Sequence, residues 1–364
     1  MTTTATAAVL RDRAAAYSVE QVTLADLGPN EVLVRIVGAG MCHTDLVPRT
    51  MGLAPLPIIL GHEGSGVVVE TGSEVSVLAP GDHVVLSFAS CGTCTSCGVD
   101  QPAYCDLFMP LNMTGRRLDG NSAAVDEAGQ PIGNRWFGQS SFASHVIADA
   151  RSAVKVDPDL PLELLGPLGC GLQTGAGVVL NEMRLRPGQR IAVFGVGAVG
   201  LAAIMAAKSA GASEIVAVDL NKERLALAAR LGATRTVDGA YPDLITTITT
   251  GGGILDFALD TTGIGDVMTA ALGVVGTGGL LVLVGSGADA LSVHPVQLVG
   301  KRVTYVLEGS ADPQTFIPVL IDAWRKGRFP FEQLVRTYAF DQIAQAEADA
   351  ASGVAVKPVL LLGS

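Results

Sequence analysis

One histidine and two cysteines, carried on separate segments, have the residue types of an open zinc site. His62 lies in the run GHEGSG, Cys42 precedes it by twenty residues, and Cys170 follows far downstream. Three such ligands can hold zinc and leave its fourth position to a reacting molecule. Glu63 and Asp45 follow these ligands closely, and carboxylates beside a metal can orient an imidazole. Cys42 or His62 alone would be more typical of a buried structural side chain, but together the residues predict a catalytic metal centre.

The other four cysteines predict a second metal site. They form the pattern C-x2-C-x2-C-x7-C at Cys91, Cys94, Cys97 and Cys105. Four thiolates suit a closed tetrahedral zinc site, although an iron–sulfur cluster takes the same ligands and clustered free thiols are a third alternative. Because four thiolates leave no open position, this metal is expected to be structural. The expectation is therefore two zinc ions per chain.

A glycine-rich turn predicts a dinucleotide site. The run GVGAVG places Gly195, Gly197 and Gly200 directly after the apolar stretch IAVF and before a helical pattern. These glycines allow a tight turn and a close approach of pyrophosphate to a helix amino terminus. Asp219 ends the next predicted strand, where a carboxylate accepts hydrogen bonds from ribose hydroxyls and repels a 2′-phosphate. The sequence therefore favours NAD over NADP, with Arg224 as a nearby cation that tempers this preference.

The segments around these residues predict an α/β protein with two domains. The first half reads as short strands separated by turns, as in a partly open barrel. After Pro167, apolar strands alternate with amphipathic helices, which indicates a doubly wound parallel sheet covered on both faces. The predicted boundaries give a catalytic zinc-binding domain at 1–171 and 308–364, and an NAD-binding domain at 172–307. The irregular stretch 106–140 is expected to form a pocket wall or an interface.

Composition and charge exclude several classes of protein. The chain has 364 residues, of which 49% are hydrophobic, and its formal net charge is −11. This charge disfavours binding to nucleic acid or to anionic lipid. The amino-terminal residues do not read as a signal peptide, and no apolar run is long enough to span a bilayer. The protein is expected to be cytoplasmic, with its cysteines serving as metal thiolates rather than disulfides.

The motifs together resemble the zinc-dependent medium-chain alcohol dehydrogenases over nearly the whole chain. The resemblance lies in CHTD at Cys42, GHEGSG at Gly61, the four-cysteine loop, GCGLQTG at Gly169, GVGAVG, and AVDLNKERL at Ala217. CHTDLV, FGQSSFASH and EGSADPQTFIP are most similar to the benzyl-alcohol branch, which includes enzymes for allylic terpenoid alcohols. The family resemblance implies a GroES-like β-rich catalytic domain and a Rossmann-type NAD-binding domain.

The resemblance also implies roles for individual residues. It implies that Cys42, His62 and Cys170 bind the catalytic zinc, with Glu63 and Asp45 beside them. It implies that Thr44 contacts the substrate oxygen. For the cofactor, it implies that Thr174 contacts the nicotinamide and that His43 and Lys357 lie near the phosphates. One position departs from the family. Many members carry a histidine three residues after the relay threonine, where this sequence has Val47, so the proton must leave by another route.

The expected activity is reversible oxidation of a primary aryl or allylic alcohol to its aldehyde, with hydride transfer to NAD. Phe88, Trp136 and Phe137 would either line a pocket for flat alcohols or belong to the core. The alternatives are a glutathione-dependent formaldehyde dehydrogenase, a general short-chain primary alcohol dehydrogenase, and a nucleotide-binding protein without catalysis. The expected partner is a small alcohol or aldehyde, with no nucleic acid or membrane, and the resemblance implies a homodimer or homotetramer.

Overall fold

The chain forms two compact units. The computed structural model describes residues 3–50, 52, 54–250, 252–287 and 289–363. The first unit comprises Met1–Cys170, Asp312–Val319 and Glu332–Ser364, and the second comprises Gly171–Ala311 and Leu320–Phe331. None of the helices in the described part of the chain has the length and apolar character that a bilayer span requires.

The first unit begins with nine strands and four short helices. The strands are β1 (Thr3–Leu10), β2 (Ser18–Leu24), β3 (Glu31–Gly40), β4 (Ile58–Ile59), β5 (Glu63–Thr71), β6 (His83–Leu86), β7 (Ala124–Val125), β8 (His145–Asp149) and β9 (Ala153–Val156), and the helices are α1 (Val47–Thr50), α2 (Thr95–Gly98), α3 (Phe108–Asn112) and α4 (Leu162–Leu165). The stretch 106–140, expected to be irregular, thus includes one helical turn and a short strand.

The second unit alternates strands and helices. Its elements are α5 (Gly171–Gly177), β10 (Arg190–Phe194), α6 (Ala198–Ser209), β11 (Glu214–Asp219), α7 (Lys222–Leu231), β12 (Arg235–Asp238), α8 (Leu244–Thr249), β13 (Leu255–Asp260), α9 (Gly265–Val274), β14 (Val275–Leu283) and β15 (Arg302–Tyr305). The chain then continues through α10 (Pro313–Arg325), β16 (Val335–Ala339), α11 (Ile343–Ser352) and β17 (Lys357–Leu361).

The two sheets of the first unit place its functional segments. One has the strand order β4-β1-β2-β7, and the other has the order β16-β17-β3-β5-β6-β9 with β8 also paired to β3. Most of these pairs are antiparallel, with alternating apolar and polar positions in the outer strands. β17 pairs with β3 so that Val359 lies opposite Gly40. This pairing brings the last strand beside the segment that leads to Cys42.

The sheet of the second unit is parallel and has six strands in the order β12-β11-β10-β13-β14-β15. The order reverses between β10 and β13, and ligands of such sheets bind at the carboxyl ends of the strands beside this switch point. Continuous apolar runs in the central strands, such as the fully buried Ile191–Phe194, reflect cover on both faces. The predicted fold class is therefore confirmed.

Candidate functional site

Four side chains that can bind a metal lie together in the first unit. Cys42 precedes a turn of 3₁₀ helix, His62 and Glu63 lie where β5 begins, and Cys170 follows another 3₁₀ turn. One donor atom from each of the four side chains lies within 4.8 Å of the others. Glu63 and His62 are buried, and Cys170 is 7% exposed. The structure therefore brings together the three ligands expected from the sequence, with a carboxylate beside them.

Asp45 organises this group from a fully buried position. Its Oδ2 accepts a hydrogen bond from the backbone N–H of Cys42 at 3.1 Å. Its Oδ1 accepts from the backbone N–H of Gly61 at 3.0 Å, from Nδ1 of His62 at 2.8 Å and from Nε1 of Trp136 at 3.2 Å. An ionised carboxylate can only accept, so Nδ1 of His62 carries the proton. The other ring nitrogen, Nε2, then carries the lone pair.

Nε2 of His62 is buried and has no hydrogen-bond partner among the described residues. A buried polar atom left without a partner costs about 1–3 kcal/mol. Sulfur and imidazole nitrogen are the ligands that zinc prefers, and an imidazole that binds zinc normally donates its other N–H to a carboxylate or carbonyl. Asp45 accepts such a bond from His62, and Cys42 and Cys170 place their sulfurs close to the ring. The residues present therefore fit a zinc ion.

Lys357 supplies the positive charge that the buried Glu63 requires. Its Nζ donates to both carboxylate oxygens of Glu63, at 2.7 and 2.9 Å, and to the carbonyl of Met41 at 3.3 Å. Burial raises the pKa of Glu63, and the ammonium of Lys357 opposes that shift. Gly40 leaves room for the pair, since a Cβ there would collide with Oε2 of Glu63. The expected contact between Lys357 and cofactor phosphates stays a prediction.

A row of buried aromatic rings begins at the imidazole of His62. The ring of Phe137 stacks on His62 at a centroid distance of 4.5 Å and an interplanar angle of 27°. Phe108 meets Phe137 edge to face, and Phe88 packs on Phe108. Phe137 itself has the left-handed φ of 48°, which bulky residues rarely adopt. Because backbone strain of this kind clusters at functional sites, the ring of Phe137 belongs to the candidate site.

Three residues shortly after Cys42, namely His43, Thr44 and Val47, differ in their surroundings. Oγ1 of Thr44 lies 3.9 Å from Sγ of Cys42. His43 is exposed, in keeping with the expectation that it contacts a ligand rather than the core. Val47 is 6% exposed at the start of α1, so its apolar side chain packs inside the unit. The roles of Thr44 and His43 stay predictions.

The four cysteines of the loop also converge. One sulfur from each of Cys91, Cys94, Cys97 and Cys105 lies within 4.8 Å of the others. Backbone N–H groups point at the sulfurs: Cys91 donates to Cys105 at 3.2 Å, and Thr93 and Cys94 donate to Cys91 at 3.5 and 3.4 Å. Such bonds favour the thiolate form. They lower the pKa of Cys91 to about 6, and the bonds from Thr93 are the largest cause of this shift. The loop is thus prepared to bind a cation.

Two of the three motif glycines in the second unit are required by the fold itself. Gly195 has a φ of 82°, and a Cβ there would collide with the hydroxyl of Thr261. A Cβ on Gly200 would collide with the carbonyl of Gly195. At Gly197, which precedes α6, a Cβ would meet nothing within 4 Å. The turn therefore leaves open space at the helix amino terminus, where a pyrophosphate fits.

Asp219 bridges this turn and the start of α7. Its Oδ2 accepts from the backbone N–H of Val196 at 2.7 Å, and its Oδ1 accepts from that of Asn221 at 2.8 Å. Each oxygen keeps a lone pair for a further donor. Arg224 is half-buried in the first turn of α7, and its Nε has no hydrogen-bond partner among the described residues. Thr174 lies in α5, whose Gly175 packs directly on the first turn of α6.

Sequence reasoning missed several residues that hold the site together. Gln139 is fully buried and donates to the carbonyls of His62 and Ser87 at 3.0 and 3.2 Å. Ser87 in turn donates to the carbonyl of Gly169, beside Cys170, at 2.6 Å. The indole of Trp136, considered only as a pocket wall or core, is a donor to Asp45. Such bonds cannot be predicted from a local sequence pattern, because the partners are far apart in sequence.

Comparisons with known proteins identify the family. A family described as alcohol dehydrogenase GroES-like domain matches residues 28–158, and one described as zinc-binding dehydrogenase matches residues 198–322. Geraniol dehydrogenase of Castellaniella defragrans is 47% identical, over 98% of this chain and 97% of that protein. The chain belongs to the zinc-dependent medium-chain alcohol dehydrogenase family, which confirms the prediction from its motifs.

Solved structures agree with this assignment. An alcohol dehydrogenase zinc-binding domain protein from Burkholderia ambifaria is 44% identical, with a TM-score of 0.97 over 100% of both chains. Benzyl alcohol dehydrogenase from Acinetobacter calcoaceticus is 40% identical, with a TM-score of 0.95 over 99% of this chain and 100% of that one. The chain is thus an oxidoreductase of a family that uses zinc and a nicotinamide dinucleotide.

The open space at Gly197 generates a prediction. In Gly197→Ala the added methyl group meets nothing in the protein but occupies the space for pyrophosphate, so we expect an unfolding temperature within about 2 °C of the wild type and NADH binding weakened about ten-fold or more. Gly200→Ala is the control, because its methyl group collides with the protein and should lower the unfolding temperature. Tight NADH binding by Gly197→Ala would contradict the placement of the pyrophosphate.

Proposed function

We propose that this protein reversibly oxidises a primary aryl or allylic alcohol to its aldehyde, with NAD as the hydride acceptor. Cys42, His62 and Cys170 hold the catalytic zinc in this proposal, and Glu63 and Asp45 lie behind these ligands. The observation that carries it is the buried Nε2 of His62, which is fixed as a lone-pair donor by Asp45 and has no partner of its own. A side chain oriented in this way, between two thiols, fits a ligand better than a structural histidine.

The protein's own residues would orient the alcohol and handle its proton. Zinc, when bound, is a Lewis acid that eases the loss of the hydroxyl proton, and NAD takes up the hydride. The hydroxyl of Thr44, close to Cys42, would accept that proton and donate its own onward. Val47 is apolar and buried, so the proton would continue through the cofactor ribose or water rather than through this side chain. His43, exposed beside Thr44, would face the cofactor phosphates.

The choice of an aryl or allylic substrate is supported by two observations. The rings of Phe137, Phe108 and Phe88 follow one another from the face of His62, and flat unsaturated groups pack well on aromatic rings. The relatives named above act on geraniol and benzyl alcohol by their names. A glutathione adduct is a less suitable substrate, because its carboxylates need cationic partners. Arg117 already pairs with Glu31, and Arg116 bonds within its own loop.

We also propose NAD as the cofactor and zinc as the second metal. Asp219 offers acceptor lone pairs beside the glycine turn, where an NADP phosphate would meet a like charge. Gly195, Gly197, Gly200 and Arg224 would surround the adenosine and pyrophosphate, and Thr174 would contact the nicotinamide. Structural zinc is favoured at Cys91, Cys94, Cys97 and Cys105, because the family is zinc-dependent and backbone N–H groups already bond to the sulfurs of Cys91 and Cys105. Two zinc ions per chain follow.

We further propose a homo-oligomer that pairs through β15. This strand lies at the edge of the parallel sheet. Exposed apolar side chains accompany it, with Val296 67%, Val299 69% and Tyr305 48% exposed. An unprotected edge strand beside apolar surface is suited to pairing with a second copy, and homo-oligomers usually close by a two-fold axis. Formation of a dimer or tetramer in the cytoplasm would pair this edge strand and bury the apolar side chains beside it.

An assay of the purified enzyme tests the activity. We expect NAD reduction with benzyl alcohol, cinnamyl alcohol and geraniol at a kcat/KM at least about ten-fold above that with ethanol, because a pocket of this kind gains from each ring or double bond that it buries. NADP should be used less well than NAD. Equal rates on ethanol would remove the aryl or allylic assignment, preference for NADP would remove the role of Asp219, and activity confined to the glutathione–formaldehyde adduct would favour the alternative.

Asp45→Asn tests the proposed catalytic metal site. The amide cannot accept all four hydrogen bonds that the carboxylate accepts, so the imidazole loses its orientation, and we expect zinc affinity at this site to fall about 10- to 100-fold. Zinc content after dialysis against a chelator should drop from two ions per chain to one. The control is Asp119→Asn, which alters an exposed carboxylate that accepts hydrogen bonds from nearby Asn121. Full retention of two ions by Asp45→Asn would refute the ligand assignment.

The oligomer is tested by charge on the proposed interface. Val296→Glu with Val299→Glu should reduce the mass measured by light scattering by half, because carboxylates would be buried without partners on both copies. Val77→Glu is the matched control, since Val77 is 73% exposed in the first unit. A wild-type monomer, or an unchanged mass for the double variant, would contradict pairing at this edge.

A further inference from the structure

Three consecutive residues in the second unit have a left-handed backbone. Glu308, Gly309 and Ser310 have φ values of 49°, 68° and 51°. Only glycine adopts this conformation readily, and non-glycine residues that do so cluster at functional sites. The turn follows β15, at the carboxyl edge of the parallel sheet where ligands of such folds bind. A strained segment at this edge requires an explanation beyond chain connection.

Each residue of the turn is held by one side chain of the helical segment 171–182. Nε2 of Gln173 donates to Oε2 of Glu308 at 3.1 Å, Nδ2 of Asn181 donates to the carbonyl of Gly309 at 3.2 Å, and Oγ of Ser310 donates to Oε2 of Glu182 at 3.0 Å. The bond to Glu308 is buried. Three separate bonds therefore fix a backbone that would otherwise relax.

The helical segment is itself irregular where it meets the turn. It begins as α5 and continues as a π-helical turn at Val178–Glu182. The backbone N–H of Met183 donates to the carbonyl of Val178 at 2.8 Å, which is the wider π spacing. Turns of this kind occur frequently at functional sites. Asn181 and Glu182, two of the three residues whose side chains bond to the strained turn, lie in the π-helical turn.

Close backbone packing fixes the segment on two sides. A Cβ on Gly177 would collide with the carbonyl of Gly309, so the segment and the strained turn touch backbone to backbone. A Cβ on Gly175 would collide with the carbonyl of Val199, in the first turn of α6. Thr174 directly precedes Gly175, and its carbonyl lies against Gly309, where a Cβ would meet it at 2.8 Å. The segment is thus held between the strained turn and the helix that begins at the dinucleotide turn.

We propose that the turn Glu308–Ser310 positions the nicotinamide half of the dinucleotide, by holding the segment that carries Thr174. The inference rests on the proposed function, and it assigns Asn181, Glu182 and Ser310 as positioning residues. A doubly wound sheet binds the two halves of a dinucleotide on either side of its switch point. The adenosine half belongs with Asp219 on β11, so the half of the sheet that ends in β15 serves the nicotinamide half.

The test compares two ligands that differ at the nicotinamide. NADH has it and ADP-ribose lacks it, so a change confined to NADH reports on the nicotinamide half alone. For Glu182→Ala and for Asn181→Ala, we expect the Kd of NADH to rise about three- to ten-fold and that of ADP-ribose to stay within about two-fold. Glu182→Gln keeps an acceptor for the Ser310 hydroxyl and should restore NADH binding. Both dissociation constants are measured by calorimetry on the zinc-loaded enzyme.

Controls separate this inference from simple loss of stability. Ser213→Ala removes a hydroxyl that bonds to the carbonyl of Gly188 elsewhere in the same unit, and it should change neither Kd. An equal rise for NADH and ADP-ribose would mean general loosening and would overturn the inference, as would variants that bind NADH like the wild type. Failure of the wild-type enzyme to bind NADH would instead contradict the proposed function.

Discussion

The buried carboxylate of Asp45 is the constraint on which the candidate metal site depends. It accepts four hydrogen bonds, from the backbone of Cys42 and Gly61, from the imidazole of His62 and from the indole of Trp136. These donors come from three segments that are far apart along the chain. A charge in the interior is stable only when such donors surround it. The need to satisfy one carboxylate therefore fixes the separation of one thiol and one imidazole, and it also chooses the tautomer of that imidazole.

Residue types and spacing were sufficient to predict the fold class, the convergence of both cysteine groups and the tight glycine turn before α6. Few residue types can bind a metal or adopt the backbone of a tight glycine turn. Such residues can therefore be recognised from their type and spacing in the sequence. The bond between Lys357 and Glu63 was not predictable, because it joins residues 294 positions apart through the pairing of β17 with β3. The resemblance implied a contact between Lys357 and the cofactor phosphates, which stays a prediction, and the structure adds a buried contact of its ammonium with a carboxylate. The role of Gln139 was not predictable for the same reason, since nothing near it in sequence indicates its long-range bonds to the carbonyls of His62 and Ser87.

The three glycines of the GVGAVG motif have different structural reasons, which the motif alone does not distinguish. Gly195 and Gly200 are explained by contacts inside the protein, and these contacts would hold in any chain with this turn. Gly197 has no such contact, and under the proposed function its missing side chain leaves room for the cofactor. The same distinction applies to Gly40, where the space is already taken by Glu63. Only coordinates separate a glycine that the fold needs from one that a ligand needs.

The pairing of Lys357 with Glu63 also bears on how the first unit folds. Glu63 lies at the start of β5, and Lys357 lies in β17, 294 positions further along the chain. Before β17 pairs with β3, the ammonium of Lys357 is not beside the carboxylate, and burial of that carboxylate costs more free energy. Formation of the buried group around His62 is therefore coupled to the docking of a strand that is distant in sequence.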